Sequence, residues 1–267
     1  MSKTRKLQPL TKKLRRKKRV SGKKITLNLW GVLAICAGLA LFISFPYFFN
    51  GRFASKGTSV PEGYDKFCLD VSHHNKGIVW DSLRVAIDPK GHTTKSLIHA
   101  ARIVPVKWVM IKATEGESMT DECFEQYWSE AGRINVSRGA YHFFRTSKDP
   151  RLQAEHYINT VKLRSTDLPP VLDIETMHRG CSRKMLNDKV LTWLEIVEKH
   201  YKRKPIVYTS DSFAMMQLSR DITDHYPLWI ARYNNDPPFT RNWKMWQFTD
   251  KALVMGTSGY VDLSVIK

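Results

Sequence analysis

Short apolar runs recur along the chain from residue 67 onward, separated by polar, glycine and proline residues. Runs of this kind are typical of buried strands when they are about four to eight residues long. The pattern predicts eight strands, at residues 67–71, 108–113, 139–144, 171–174, 206–209, 228–231, 245–248 and 260–265.

Between the early strands, apolar positions repeat every three or four residues, which is typical of amphipathic helices. This spacing predicts helices over residues 120–131, 149–161, 182–201 and 210–218, and another after Trp80. Alternating strands and helices indicate parallel pairing, but the last three strands are joined by connections too short for ordinary helices. We therefore predict an α/β fold, an irregular TIM-like β/α barrel with about five β/α units plus three further strands.

Charge divides the chain into segments. Residues 1–24 contain twelve Lys or Arg and no acidic residue, and residues 25–49 contain no charged residue. The remaining part holds 31 basic against 25 acidic residues, a net charge of +6. A basic block before an apolar span that is long enough to cross a bilayer predicts a cytoplasmic N-terminus. The predicted segments are a tail (1–24), a transmembrane helix (25–49), a linker (50–60) and one exported domain (61–267).

Three other readings of the N-terminus fit less well. A cleaved signal peptide has an apolar core of about 7–15 residues and a small-residue cleavage site. A lipoprotein signal would place a small residue before Cys36, where Ile35 stands. A nucleic-acid-binding arm fits the charge alone, but the adjoining apolar span makes membrane topology the simpler cause. We predict a single-pass protein of the cytoplasmic membrane, with an extracytoplasmic or periplasmic domain and no nucleic-acid partner.

Cysteine and histidine usage indicates no metal site. Cys68, Cys123 and Cys181 are odd in number and widely spaced, which fits neither a disulfide framework nor a zinc site, although one bridge is compatible with them. His73, His74 and His142 lack the spacing of metal ligands. We predict neither a metal nor a cofactor.

The strand at 171–174 carries the candidate chemistry. Successive side chains on a strand alternate faces, so Asp173 and Glu175 point the same way, about 6–7 Å apart at Cα. Two adjacent carboxyls raise each other's pKa, and such a pair can cleave a glycosidic bond. The alternative is a strand end whose acids cap a helix or form salt bridges. A closed barrel favours catalysis, because it would bring Asp70 and Asp262 to the same mouth.

The order of motifs then resembles glycoside hydrolase family 25, the Chalaropsis-type lysozymes. The matching segments are LDVSHHN (69–75), IKATEG (111–116), AGRINVSRGAYHFF (131–144), QAEHY (153–157), PPVLDIE (169–175), PIVYT (205–209), LWIARY (228–233), WQFTD (246–250) and GYVDLS (259–264). The resemblance covers residues 69–267 and implies the barrel that the strand pattern predicts independently.

The resemblance implies an N-acetylmuramidase that cleaves the β-1,4 bond between N-acetylmuramic acid and N-acetylglucosamine in peptidoglycan strands. It implies Glu175 as the general acid and later the base. Asp173 would stabilise the attacking 2-acetamido group of the substrate, a retaining and substrate-assisted reaction. Asp70 and Asp262 would orient sugar or tune the pair's protonation. The alternative is a peptidoglycan-binding scaffold of the same fold without turnover.

Further residues are candidates for substrate binding. Aromatic rings at predicted strand ends can stack on sugars, and Trp246 fits a core role equally well. Lys112 and Glu115 would form an ion pair at the barrel rim or contact substrate. Arg232 would bind a carboxylate of the lactyl group or stem peptide. The aromatic candidates are Tyr141, Tyr208, Tyr233 and Trp246.

Two segments depart from the family pattern. Residues 85–106 are longer than the usual link before the IKATEG strand, and would form either a loop over the cleft or a partner surface. Asn75 and Lys76 stand where Gln-Gly is expected after the DVS motif.

Overall fold

The computed structural model describes residues 57–267. The predicted tail (1–24), the predicted transmembrane helix (25–49) and most of the predicted linker therefore lie outside the described residues. Within residues 57–267, no helix combines the length and the apolar character needed to cross a membrane.

All eight predicted strands are present, together with four short ones. The strands are β1 (Phe67–Val71), β2 (Arg84–Ile87), β3 (Thr93–Thr94), β4 (Arg102–Pro105), β5 (Trp108–Glu115), β6 (Met119–Thr120), β7 (Ser137–Phe143), β8 (Val171–Asp173), β9 (Ile206–Ser210), β10 (Leu228–Ala231), β11 (Trp243–Leu253) and β12 (Tyr260–Ile266). The helices are a 3-10 turn (Trp80–Ser82), α1 (Phe124–Arg133), α2 (Pro150–Thr160), α3 (Arg183–Tyr201), α4 (Asp211–Gln217) and α5 (Arg220–Thr223).

Eight strands close into a barrel, as predicted. Their order around the ring is β1-β12-β11-β10-β9-β8-β7-β5, and β5 pairs with β1 to complete it. β12 runs antiparallel to both β1 and β11, while the other neighbours in the ring are parallel. The barrel is irregular because its last strand enters from the opposite direction.

The core lies on both sides of the barrel wall. A smaller cluster draws its buried side chains from the strands alone and fills the interior, including Cys68, Met110, Tyr208, Trp229 and Met245. A larger cluster packs the outer faces of the strands against the helices. Strands buried on both faces read as nearly continuous apolar runs, which explains the pattern in the sequence.

Capping residues set the helix starts. Asp149 accepts hydrogen bonds from the amides of Arg151 and Leu152, and Pro150 occupies the first position of α2. Ser182 accepts from the amide of Met185 at the start of α3. Both starts agree with the sequence prediction, because these side chains satisfy amides that the helix leaves unpaired.

The predicted helix after Trp80 is wrong. A single 3-10 turn ends at Ser82, and β2, β3 and β4 then form a separate antiparallel sheet in the order β3-β2-β4. This sheet accounts for the long segment 85–106, in which β-branched residues favour strands over a helix. The predicted linker also ends earlier than residue 60, because Ser59 pairs with His92 and the Val60 amide donates to Gly91 O.

Candidate active site

A cavity of about 270 Å³ opens at the barrel end where the parallel strands finish. Strand ends of this kind are where catalytic side chains gather in β/α barrels. All four predicted carboxyls line this cavity. The lining residues are Asp70, Ser72, His74, Lys112, Tyr141, Phe143, Asp173, Glu175, Tyr208, Trp229, Tyr233, Gln247 and Asp262.

Asp70 and Asp262 lie directly opposite each other on β1 and β12. Burial raises the pKa of Asp70 well above its usual range, and the negative charge of Asp262 raises it further. Burial likewise raises the pKa of Asp262, to about 6. Two opposed carboxyls in a poorly solvated site do not both ionise readily, so this pair holds a proton near neutral pH.

Asp173 and Glu175 lie at the end of β8 on the cavity side. Asp173 is buried, and its Oδ1 has no hydrogen-bond partner within the described residues. Burial raises the pKa of Asp173 well above its usual range, and the nearby charge of Glu175 adds to this. Ile174, between the two acids, buries its side chain in the outer core, and its amide donates to Tyr208 O. Glu175 then lies on the exposed rim of the cavity.

Gln247 links the acidic pair to two tyrosines. The hydroxyls of Tyr208 and Tyr233 both donate to Gln247 Oε1, at 2.8 Å and 2.9 Å. Gln247 Nε2 donates in turn to Asp70 Oδ2 at 3.1 Å. Because the two phenols occupy the amide oxygen, the amide nitrogen must face Asp70. Sequence reasoning missed Gln247, although a lone amide between Trp246 and Phe248 in an apolar strand was a usable signal.

Lys112 and Glu115 form an ion pair, with Nζ and Oε2 2.6 Å apart. Arg145 Nε donates to the other oxygen of Glu115 at 2.8 Å. Lys112 lines the cavity and Glu115 does not. The ion pair at the barrel rim is therefore the arrangement observed. Glu115 pairs with Lys112 and Arg145 and does not line the cavity.

Two further predicted substrate contacts, Trp246 and Arg232, lie outside the cavity, as Glu115 does. Trp246 is only 1% exposed and packs among Tyr64, Trp243 and Phe248, so its predicted sugar contact is wrong and the core role is correct. The reason is strand alternation, since Gln247 faces the cavity and Trp246 faces outward.

Arg232 also lies outside the cavity lining. Its guanidinium pairs with Asp211, with Nη1 and Oδ2 3.2 Å apart, and lies over the Phe239 ring at 3.9 Å. These contacts hold the guanidinium outside the cavity lining, and its binding of a substrate carboxylate stays a prediction. By contrast, Tyr141, Tyr208 and Tyr233 all line the cavity.

Two of the three histidines considered as metal ligands, His73 and His142, are hydrogen-bonded within the protein, whereas His74 lines the cavity. His73 Nδ1 lies 2.6 Å from Asp121 Oδ2. His142 is buried between Thr114 and Gln153, and burial lowers its pKa to about 3. In the part of the chain that the structure describes, no three His, Cys, Asp or Glu side chains are grouped to hold a metal ion.

The raised pKa of Asp262 beside Asp70 predicts that the free energy of unfolding depends on pH. A carboxyl whose folded-state pKa is about 6 stabilises the fold below its unfolded pKa, near 4, and loses that contribution as pH rises through 6. Asp262→Asn removes the ionisation, so we expect it to raise the free energy of unfolding at pH 7.5 by on the order of 1–2 kcal/mol. At pH 4 the difference should vanish.

Urea unfolding of the parent and the variant at both pH values measures this effect. Asp65→Asn, at an exposed carboxyl before β1, is the control and should change neither value by more than about 0.5 kcal/mol. A variant less stable than the parent at pH 7.5 would contradict the raised pKa.

Comparison with known proteins identifies the family of this chain. Residues 69–257 match Glycosyl hydrolases family 25. The chain is 34% identical over 209 residues to YegX of Escherichia coli K12, covering 77% of this chain and 71% of that protein. It is 32% identical over 160 residues to the autolytic lysozyme of Clostridium acetobutylicum, covering 59% and 48%. The structure of a family 25 glycosyl hydrolase from Bacillus anthracis superposes with a TM-score of 0.65 at 25% identity, covering 80% and 93%.

Proposed function

Because this chain belongs to glycosyl hydrolase family 25 and is a glycosidase of the lysozyme type, we propose that its substrate bond is the β-1,4 link from N-acetylmuramic acid to N-acetylglucosamine in peptidoglycan. The observation that carries the proposal is the convergence of Asp70, Asp173, Glu175 and Asp262 on one cavity. Three of these acids lie on β1, β8 and β12, and Glu175 lies two residues after the end of β8. A surface that only solvated its charges would not draw them together in a partly buried site.

The different surroundings of Asp173 and Glu175 support different roles. Glu175 is exposed at the rim, where it can reach the oxygen that leaves the anomeric carbon and give it a proton. Asp173 is buried, with an oxygen that has no partner among the described residues, and can accept the N–H of the substrate's 2-acetamido group. That contact would orient the acetamido oxygen for attack on the anomeric carbon, after which Glu175 would activate water.

Three neighbouring residues set the charge and hydrogen bonding around this pair. They are Asp70, Asp262 and Gln247. Because the pKa values of Asp70 and Asp262 are raised, the two carboxyls together carry less negative charge near Asp173 when no substrate is bound. The amide of Gln247 fixes one Asp70 oxygen as an acceptor and holds Tyr208 and Tyr233 at the cavity wall. Tyr233 is exposed and would offer a ring face to a sugar unit, whereas Tyr208 is buried and would contact sugar through its edge or hydroxyl.

Digestion of purified peptidoglycan tests the proposed bond. We expect the protein to release fragments that end in reducing muramic acid, which borohydride converts to muramitol for mass spectrometry. Fragments ending in reducing glucosamine would contradict the proposed bond. Absence of products from several wall types would contradict catalysis and would favour the scaffold alternative.

We propose further that the enzyme is tethered to the cytoplasmic membrane and remodels wall close to it. The support is the sequence alone: twelve basic residues before residue 25, then 25 residues without charge. A segment of that length crosses a bilayer, and the basic block favours a cytoplasmic N-terminus. Peptidoglycan lies outside that membrane, so this topology places the barrel on the side of its substrate.

Protease added to spheroplasts tests the topology. We expect the barrel domain to be degraded while a tag placed before residue 1 is protected. A soluble mature protein that begins near Ala54 or Ser55 would instead mean that the apolar segment is a cleaved signal. A protected barrel domain would mean the reverse orientation.

A further inference from the structure

The sheet β2-β3-β4 carries an exposed apolar turn that the proposed chemistry does not use. Between β3 and β4, Leu97 is 59% exposed and Ile98 is 93% exposed. Ile103, in β4 of the same sheet, is 48% exposed. Adjacent large apolar side chains this exposed are a candidate contact surface, whereas isolated ones need no explanation. We call residues 95–99 the apolar turn.

The segment around the apolar turn is rich in basic residues, and the nearest acid before it is Asp88, whose carboxylate accepts from the amides of Lys90 and His92. Residues 89–114 contain no Asp or Glu, whereas Lys90, Lys95, Arg102 and Lys107 are basic. Lys95 Nζ donates to Thr257 O at 2.5 Å and to Gly259 O at 3.2 Å, which anchors the turn against the loop before β12. An apolar tip within a basic surface is complementary to anionic lipid headgroups.

The path of the chain places this surface beside the point where the described residues begin. Ser59 pairs antiparallel with His92, and the Thr93 amide donates to Thr58 O. Gly57 lies so close to Thr93 that an added Cβ would overlap its carbonyl oxygen. The chain therefore enters the domain beside β3, and β3 ends three residues before Leu97.

The tether proposed above makes this position significant. Seven residues, 50–56, separate the uncharged segment from Gly57. Even fully extended, a chain of that length spans at most about 25 Å. The inference rests on the proposed membrane anchor, because only the anchor would hold the start of the domain, and the sheet beside it, close to a bilayer surface.

We propose that the apolar turn docks on the outer surface of the membrane, with Leu97 and Ile98 entering the lipid interface. Lys90 and Arg102, which are exposed and flank the turn in sequence, would contact the phosphates of anionic lipids. Docking at a second point would stop the barrel from rotating freely about its single tether. The cavity mouth would then keep a constant orientation relative to the membrane surface.

Photo-crosslinking in the full chain tests the docking. The protein is reconstituted into vesicles of phosphatidylethanolamine and phosphatidylglycerol, with Ile98 replaced by p-benzoylphenylalanine. The matched control replaces Met216, which is 60% exposed on α4. We expect lipid adducts at position 98 to exceed those at position 216 at least tenfold. Exchanging phosphatidylglycerol for phosphatidylcholine should lower the yield at position 98 at least threefold, because the basic residues lose their anionic partners.

Flotation of the vesicles tests the membrane anchor separately from docking of the apolar turn. If the chain floats but position 98 yields no more lipid adduct than position 216, docking is wrong and the anchor stands. Adducts between two copies of the chain, or with added glycan, would also overturn docking. If the chain does not float, the anchor fails and the docking inference falls with it. Peptidoglycan digestion by the same protein is measured in a separate assay, so that failure of the glycosidase proposal is distinguished from failure of docking.

Discussion

Glu175→Gln is expected to lower the turnover of peptidoglycan about 10²–10⁴-fold, the usual range for loss of a general acid. The amide keeps the shape of the side chain but has no proton of suitable acidity to give. Because Glu175 lies on the exposed rim of the cavity, the substitution leaves no buried group unpaired. Glycan binding should therefore change by less than about threefold. Turnover is measured as new reducing ends, and binding as co-sedimentation with insoluble wall.

A substrate with an acidic leaving group distinguishes proton donation from a general defect. A muramyl glycoside of nitrophenol needs little protonation of its leaving oxygen, so the loss in Glu175→Gln should shrink at least tenfold with it. Equal losses on both substrates would mean that Glu175 is not the acid. Glu125→Gln, at an exposed acid on α1 outside the cavity, should retain full turnover.

Arg138→Met is expected to lower the free energy of unfolding by about 3–5 kcal/mol, because it breaks a buried ion pair and leaves one charge without compensation. Arg138 and Asp167 are each 5% exposed, and their Nε and Oδ1 atoms lie 2.9 Å apart. Arg138 also donates to Trp128 O and lies over the Trp128 ring at 4.1 Å. This pair connects β7 and α1 to the loop before β8, so its loss weakens the barrel wall.

The surface ion pairs of Arg133 supply the control. Arg133 is about half exposed and pairs with Asp81 and Glu130. Arg133→Met should cost at most about 1 kcal/mol, since water screens exposed pairs. Adding Asp167→Asn to Arg138→Met should recover part of the loss by removing the uncompensated charge. Urea unfolding measures all four proteins, and equal costs for the two arginine substitutions would contradict the assignment of a buried pair.

The strands of the barrel were readable from the sequence because each one is a short, dense apolar run. The bounds of β1 and β10 agree with prediction to the residue, and the starts of α2 and α3 follow from Asp149 and Ser182. These signals are local. A cap or a buried strand needs only its own neighbours in sequence to be recognised.

The segment 85–106 shows where local signals mislead. The sequence predicted a helix after Trp80 and a loop or partner surface over this segment, yet the chain forms β2, β3 and β4 there. The pairing partners that decide for strands are distant in sequence, such as Thr58 beside Thr93 and Met255 beside Arg84. Sequence periodicity carries no information about such partners.

For the site, the sequence by itself determined which carboxyls would meet, while the tertiary structure decided their surroundings. Alternation along β8 and closure of the barrel suffice to bring Asp70, Asp173, Glu175 and Asp262 together. Alternation also separates Trp246 from Gln247 but does not say which one faces inward, because both sides of a barrel wall are buried. That choice depends on Tyr208 and Asp70, which reach Gln247 from other strands, and on Tyr233 in the loop after β10. Hydrogen bonds and burial of this kind exist only once the chain has folded.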